Sequence, residues 1–144
     1  MSTRDEEFRR EQALFEERAQ FVRENYPGGS EKHQEIVYSC LDGFNVLEER
    51  DGSGNLDALL TYVYDVDTDG YKYCIVGLIV SGEDSRGEGK IVDLFNEVQR
   101  LAKDEKCEYL IGRADTDEGA LFMETHGFYV EEVDGDEHYR FDLD

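Results

Sequence analysis

The sequence predicts an α/β fold in which helices flank a mixed, mostly antiparallel central sheet, and three features support this prediction. The N-terminal segment carries an apolar stripe at helical spacing. Three apolar segments separated by short Asp- and Gly-containing turns follow it, as is typical of antiparallel strands. In the third of these, residues 71–81, both alternating faces are apolar, so this strand is expected at the centre of a sheet covered on both sides.

Residues 3–25 are expected to form the first helix. Its apolar residues recur at helical spacing, in the order Phe8, Phe15, Ala19, Val22 and Tyr26. A proline and two glycines at 27–29 end the pattern. The stripe is compatible with three roles: packing in the core, a docking face for a protein partner, or the seam of a homo-oligomer.

The next segment has two interpretations. Ser30 is a good N-cap for a second helix that would run to about Cys40. The same stretch contains IVYSCL, which is strand-like, and Asp42-Gly43 is a hairpin signal. Helix is the favoured interpretation.

Three strands are expected next, at 44–50, 57–66 and 71–81, joined by the turns DGSGN and DTDG. The second turn belongs to the sequence D-x-D-x-D-G (Asp65, Asp67, Asp69, Gly70), which matches the first half of an EF-hand calcium loop. Val76 stands where that loop needs its final glutamate, so a hairpin turn is expected instead. The remaining elements are a helix at 89–105, a strand at 108–113, a helix at 118–126 and a hairpin at 128–133 and 138–143. The resulting order is ααβββαβαββ.

Charge is the most unusual property of the composition. Asp and Glu number 36 against 15 Lys and Arg, so the net charge is −21, and the excess is spread along the chain. Because 39% of residues are hydrophobic and their periodicity is clear, a folded protein is expected. Self-repulsion becomes tolerable at molar salt, where the Debye length is about 3 Å, which predicts a haloarchaeal or haloarchaeal-virus origin. The alternative is an acidic decoy, such as a DNA mimic, for a basic partner.

The same composition constrains location and ligands. The lack of a basic patch argues against nucleic-acid binding. No apolar run reaches about 18 residues and the N-terminus is polar, which predicts neither a transmembrane span nor a secretory signal. The spacing of Cys40, Cys74 and Cys107 indicates no disulfide framework and no zinc site, and Cys74 is expected in the core. A cytoplasmic protein of a halophile, or a virion-associated one, is predicted.

At 144 residues the chain is expected to be a single globular unit, with a helix and its stop at 1–29 and the main domain at 30–144. Within that domain the strand at 71–81 leads through a Gly-rich turn into a helix. Gly87 and Gly89 allow the backbone to approach an anion closely, and the positive end of the following helix points to the same place.

The segment from Phe44 to Leu143 resembles the GNAT superfamily of acyl-CoA-dependent N-acetyltransferases. The phosphate-binding turn of that family, R/Q-x-x-G-x-G/A, is similar to the run Arg86, Gly87, Glu88, Gly89, Lys90 and Ile91. A degenerate later signature of the family is similar to Asp117, Ala120, Phe122, Met123, Glu124, His126, Gly127 and Phe128. Strand order, helix positions and the spacing between the two motifs agree with the family as well, while the long N-terminal helix is an addition that replaces the family's first strand.

The resemblance implies that acetyl-CoA binds through its pyrophosphate at the Gly-rich turn and that an amine attacks its thioester. The implied cofactor-binding residues are Arg86, Gly87, Glu88, Gly89 and Lys90, together with Leu78 and Val80 on the preceding strand. A backbone N–H near residues 78–81 would stabilise the oxyanion. The acceptor would be a small amine, an amino acid or a protein amine, and the acidic surface favours a cationic one.

Two of the departures from the family pattern, Ile91 and Met123, bear directly on function. Ile91 stands where the family has Gly or Ala, which predicts crowding of the pyrophosphate. Met123 stands where many members have the tyrosine that protonates the leaving thiolate, and a thioether has no proton to give. Tyr109 and Tyr129 are the nearest tyrosines that could substitute as the acid.

Glu48 and Glu49 are candidates for the general base by position alone. His33, His126 and His138 have no metal-ligand spacing, and a packing or capping role is expected for His126. Two functions therefore stay open. One is an N-acetyltransferase; the other is an inactive GNAT-like binding or assembly protein of a haloarchaeal or viral complex.

Overall fold

The computed structural model describes residues 3–25, 39–82, 89–113, 117–133 and 135–143, with only the backbone of residues 117–119. Helix α1 spans Thr3–Asn25, and a short helical segment follows at 39–43. Strands β1, β2 and β3 span Asn45–Arg50, Leu56–Val66 and Lys72–Ser81. Helix α2 (Lys90–Asp104), β4 (Tyr109–Gly112), α3 (Asp117–Thr125), β5 (Tyr129–Val133) and β6 (Asp136–Asp142) complete the described chain.

These elements confirm the predicted α/β class and the predicted order of strands. The six strands form one sheet in the order β1-β2-β3-β4-β6-β5. Four of the described strand pairs are antiparallel, and the pair β3–β4 is parallel. No strand precedes Asn45 within residues 3–25 and 39–44. Most of the predicted second helix, including Ser30, lies outside the described residues, but 39–43 are helical, so Asp42-Gly43 ends a helical segment and not a hairpin.

Both faces of the sheet are buried, as the apolar pattern of β3 predicted. The α2-side core comprises Ala58, Leu60, Cys74, Val76, Leu94, Phe95, Val98, Ala102, Cys107, Leu110, Met123, Phe128 and Leu143. The α1-side core comprises Ala19, Phe21, Val22, Cys40, Leu41, Leu59, Leu78 and Val80. Cys74 is fully buried in the first of these, and burial raises the pKa of its thiol to about 12.

The apolar stripe of α1 divides into two parts. Ala19 and Val22 are buried against the sheet and Phe15 packs beside them, which confirms the core role for this half. Residues 3–13 are all exposed, and the side chain of Phe8 is 65% exposed. The helix therefore continues beyond the part of it that the sheet covers.

An ion-pair network ties α1 to the edge strand β1. Arg18 contacts Glu48 at 3.1 Å, and Arg50 contacts both Glu48 at 2.9 Å and Glu17 at 2.8 Å. These side chains are partly exposed, so each pair contributes little alone. Together they join the two elements twice, because Arg50 of the strand binds Glu17 of the helix and Glu48 of the strand binds Arg18 of the helix.

The two tight turns of the first three strands share one design. Asp51 accepts hydrogen bonds from the N–H groups of Ser53 and Asn55, and Asp67 accepts them from Asp69 and Tyr71. A glycine in the left-handed region, Gly54 or Gly70, follows three residues after each aspartate. These contacts confirm the hairpin interpretation of the D-x-D-x-D-G segment. The described residues also contain no cluster of three His, Cys, Asp or Glu side chains that could hold a metal.

Candidate active site at the carboxyl ends of two parallel strands

The parallel pair β3–β4 defines where a ligand is expected. In α/β sheets ligands bind outside the carboxyl ends of parallel strands, and both β3 and β4 lead into helices at that edge. The strands pair from Tyr73 with Tyr109 to Val76 with Gly112, where β4 ends. Strand β3 continues to Ser81, so residues 77–81 lie beyond the end of their neighbour. These residues, the end of β4 and the start of α2 are called the carboxyl-end site below.

A β-bulge marks the beginning of the part of β3 that extends past β4. Leu60 pairs with Ile79 and Tyr62 pairs with Val76, so two residues of β3, Gly77 and Leu78, lie opposite Thr61. The extra residue reverses the faces of the strand. Before it, Cys74 and Val76 enter the α2-side core; after it, Leu78 and Val80 enter the α1-side core.

Thr61 holds the bulge in place. It is fully buried, and its Oγ1 accepts a hydrogen bond of 2.7 Å from the backbone N–H of Leu78. A bulge leaves a backbone group without its ladder partner, and a buried unpaired N–H is costly. The threonine hydroxyl satisfies it.

A glycine is needed at position 77 because there is no room for a side chain, and not because of its backbone angles. A Cβ added there would lie 2.6 Å from Thr61 Oγ1 and 2.8 Å from the ring of Phe44. Real Cβ atoms do not approach other atoms this closely. Thr61, Gly77 and Phe44 therefore form one tightly packed unit under the bulge.

The two predicted ligand residues of β3 are core residues. Leu78 and Val80 are each 3% exposed, and their side chains belong to the α1-side core. Any contact that they make with a ligand would come from the main chain. The N–H of Leu78 is already donated to Thr61, so it is not open to an oxyanion.

The start of α2 is shaped by Gly89. This residue is the N-cap, with φ of 81° in the left-handed region, and a Cβ there would meet nothing within 4 Å. Having no side chain, it supplies no capping oxygen, and its carbonyl accepts from the N–H of Asp93. The helix end is thus accessible at backbone level, as an anion site requires. Arg86, Gly87 and Glu88 lie outside the described residues, so their predicted role stays a prediction.

Lys90 forms an ion pair with Asp57, the second residue of β2. Both side chains are largely buried, at 24% and 16% exposure. The carbonyl of Asp57 also accepts a 2.6 Å hydrogen bond from the N–H of Gly82. Asp57 therefore contacts Gly82, just before residues 83–88, and Lys90, shortly after them. The positive charge of Lys90 is neutralised by the carboxylate of Asp57.

Ile91 packs against the α2-side core and is partly buried. The side chain at this departure from the family pattern is therefore accommodated by the core beneath the first turn of α2. A side chain packed against the core in this way gives no reason to expect that Ile91 crowds a phosphate group.

Met123 is a core residue at the end of β4. It is 2% exposed, and its Cε lies 2.9 Å from the place that a Cβ on Gly112 would occupy. Just after it, Phe128 donates its N–H to the carbonyl of Met123, and Gly127 has a left-handed φ of 92°. The ring of His126 contacts that of Phe122 in a tilted arrangement, with centroids 4.3 Å apart, so it has a packing role, as expected. The described residues of the late motif thus build the end of α3.

The alternative acids Tyr109 and Tyr129 lie at the other end of β4. Tyr109 donates its hydroxyl to Asp67 at 2.9 Å, and burial followed by this hydrogen bond raises its pKa. Tyr129 donates to Asp142 at 2.7 Å, which raises its pKa, and Asp142 pairs with Tyr109. Since Gly112 is three residues further along β4, about 10 Å away, neither hydroxyl belongs to the carboxyl-end site.

The candidate bases lie level with the carboxyl-end site but are separated from it by β2, since Glu48 and Glu49 are in register with Val80 and Ser81 across that strand. Glu48 is on β1, two strands from β3, and its carboxylate binds Arg18 and Arg50. Glu49 pairs with Ala58 on the opposite face of the same strand.

The sequence predictions did not include Thr61 or Asp57. A signal for Thr61 existed, because it is the polar residue within the otherwise apolar run ALLTYV.

Known proteins resemble this chain in structure only. No protein-family model and no curated protein matches the sequence. A putative GNAT-family acetyltransferase from Desulfovibrio desulfuricans superposes with a TM-score of 0.72 at 15% identity, covering 92% of this chain and 94% of its own. A GNAT-family acetyltransferase from Staphylococcus aureus Mu50 gives 0.70 at 11% identity, with 92% and 94% covered.

The GNAT-family N-acetyltransferase YhbS from Escherichia coli, solved in complex with CoA, gives a TM-score of 0.69 at 16% identity and covers 90% of this chain and 76% of its own. At these identities the comparison establishes the fold and not the reaction. The chain has the fold of the GNAT acetyltransferases, and the likeness extends well beyond residues 44–143, on which the sequence resemblance depended.

Proposed function

We propose that this protein is an N-acetyltransferase that moves an acetyl group from acetyl-CoA to an amine. The observation that supports this most directly is the combination of the GNAT fold with the exposed backbone of Gly89 at the start of α2, beside the carboxyl end of β3. A structural neighbour of the same fold was solved with CoA. When bound, acetyl-CoA would supply the thioester that an amine attacks.

The residues of this chain would act mainly through the backbone. The first turn of α2 at Gly89, with Arg86, Gly87 and Glu88, would hold phosphate oxygens through N–H groups and the helix dipole. Lys90 would act indirectly, because its pairing with Asp57 secures the start of α2. An N–H of β3 after Leu78 would stabilise the oxyanion, since the N–H of Leu78 is bound to Thr61.

No side chain is assigned as acid or base. Met123 is buried and has no acidic proton, and Glu48, Tyr109 and Tyr129 are engaged elsewhere. Thiols have a pKa of about 8.5, so a thiolate leaves readily without an acid. With a net charge of −21, the protein would attract cationic acceptors, either small polyamines or protein amines.

The composition adds a proposal about the setting. We infer that the chain works in the salt-rich cytoplasm of a halophile or in association with a virion from one, because self-repulsion at −21 is screened at molar salt. No helix within the described residues is long and apolar enough to cross a membrane.

Calorimetric titration of acetyl-CoA at molar KCl tests the proposed ligand. Binding is expected, and Gly89→Glu should abolish it because a bulky anionic side chain would enter the phosphate position. The matched control is Gly70→Glu, which places the same residue at another exposed left-handed glycine, in the β2–β3 turn at the other end of the sheet. No heat at millimolar acetyl-CoA would overturn the proposal.

Thiol release in the presence of polyamines, amino acids and peptides then tests transfer. Acetylation of one acceptor class would establish the reaction. Binding without transfer to any of them would favour the second candidate, a GNAT-like binding or assembly protein, for which the buried Met123 is the supporting observation.

A further inference from the structure

The N-terminal half of α1 carries a surface that the rest of the described chain does not cover. Residues 3–13 are all exposed, including Phe8 at 65%. With 3.6 residues per turn, Phe8 lies on the same face as Phe15, Ala19 and Val22, which contact the sheet. The apolar face of the helix therefore runs past the sheet.

The helix is less acidic than the chain as a whole. Residues 3–25 contain five arginines and seven carboxylates, a net charge of −2, while the other 121 residues carry −19. Two copies of a chain with a net charge of −21 repel each other over most of their surfaces. The helix is thus a region where a second copy can approach at a lower electrostatic cost than over most of the surface.

The order of the charges around Phe8 is self-complementary. Arg4 precedes Phe8 by four residues and Glu11 follows it by three, so at about 100° per residue both lie on one flank of Phe8. In an antiparallel helix pair centred on Phe8, the same flanks of the two helices face each other. Arg4 of one copy then lies within about 1.5 Å, along the axis, of the level of Glu11 in the other.

The opposite flank is compatible with the same arrangement. It carries Asp5 and Gln12, which the two-fold axis places side by side as a carboxylate and an amide. Phe8 would meet Phe8 of the second copy at the centre. The Arg4–Glu11 ion pair occurs twice in the interface, because a two-fold axis repeats every contact.

We propose that this protein forms a symmetric homodimer through an antiparallel α1–α1 contact centred on Phe8, with Arg4–Glu11 ion pairs between the copies. The occupant of the exposed helix face is thus a second copy of this chain. Another protein or no partner at all would be a different outcome of the test.

Analytical ultracentrifugation at molar KCl tests the dimer, with circular dichroism to verify folding. The natural chain should sediment as a dimer, and Phe8→Asp should weaken association by about tenfold or more, since an aromatic residue at the centre of an interface is a typical hot spot. Phe8 is mostly exposed in one chain, so this variant should fold. A monomeric natural chain, or a dimer that Phe8→Asp leaves intact, would overturn the proposal.

A charge swap tests the antiparallel register. Arg4→Glu alone should weaken the dimer by about fivefold, because it sets two glutamates against each other twice. Adding Glu11→Arg should restore association, since opposite charges face each other again. Arg10→Glu makes the same change on the far side of the helix and should leave the dimer unchanged. Failure of the double variant to recover would show that the contact has another partner or register.

Discussion

The 2.7 Å hydrogen bond from the Leu78 N–H to Thr61 Oγ1 determines how β3 is built. It occurs at the bulge, where β3 has one residue more than β2. Before the bulge the buried side chains of β3 enter the α2-side core, and after it they enter the α1-side core. The last pair between β3 and β4, Val76 with Gly112, comes directly before the bulge. A buried hydroxyl on a neighbouring strand thus fixes the backbone of residues 77–81 at the carboxyl-end site.

Replacing Thr61 tests this relationship. Thr61→Val keeps the shape but leaves the Leu78 N–H buried and unpaired, so the free energy of unfolding should fall by about 1–3 kcal/mol. Thr61→Ser retains the hydroxyl and should lose less. Amide hydrogen exchange should show faster exchange at Leu78 in Thr61→Val than in Thr61→Ser, and equal exchange in the two variants would contradict the proposed role of the hydroxyl.

Gly77 should tolerate no side chain. Gly77→Ala places a methyl group 2.6 Å from Thr61 Oγ1 and 2.8 Å from the ring of Phe44, so we expect a loss of about 1–3 kcal/mol in chemical denaturation. Gly43→Ala is the matched control, because a Cβ there meets nothing within 4 Å and the residue is helical. Equal stability of the two variants would mean that the bulge can shift to accept the methyl group.

Most of the fold could be predicted from the sequence because its periodicity is strong. The strand and helix bounds differ from prediction by one or two residues where the segments are described, and the central position of β3 followed from its two apolar faces. The bulge was not predicted, since an apolar run such as YCIVGLIV has the same pattern in either register, and the isolated Gly77 was its only signal.

The site was less predictable than the fold. The Lys90–Asp57 pair joins residues 33 apart in the chain, and among 36 carboxylates no sequence signal selects Asp57. The two tyrosines were chosen by nearness in sequence and Glu48 by position alone, but their distances from the carboxyl-end site depend on strand order and on direction within the sheet. Ile91 was predicted to crowd a phosphate group. The sequence does not show that its side chain faces the core, because this depends on how α2 is rotated about its own axis.

Salt should stabilise this protein over a wide range. At low ionic strength the net charge of −21 favours expansion of the chain, and added KCl screens that repulsion. The ion pairs between α1 and β1 are weakened by the same screening, but they are few and partly exposed. We therefore expect the thermal midpoint to rise steadily from dilute buffer to molar KCl. A midpoint that falls with salt would contradict a halophilic setting.

Met123→Tyr tests whether the buried thioether occupies the place of a missing catalytic acid. Met123 is 2% exposed and lies against Gly112, so a tyrosine would be too large for the space and its hydroxyl would need a buried partner. We expect a loss of stability of about 1–3 kcal/mol and no gain in acetyl transfer. Met123→Leu, which nearly conserves volume, is the control and should cost less than about 1.5 kcal/mol. A folded Met123→Tyr variant with a raised kcat would show instead that this position faces the leaving thiolate.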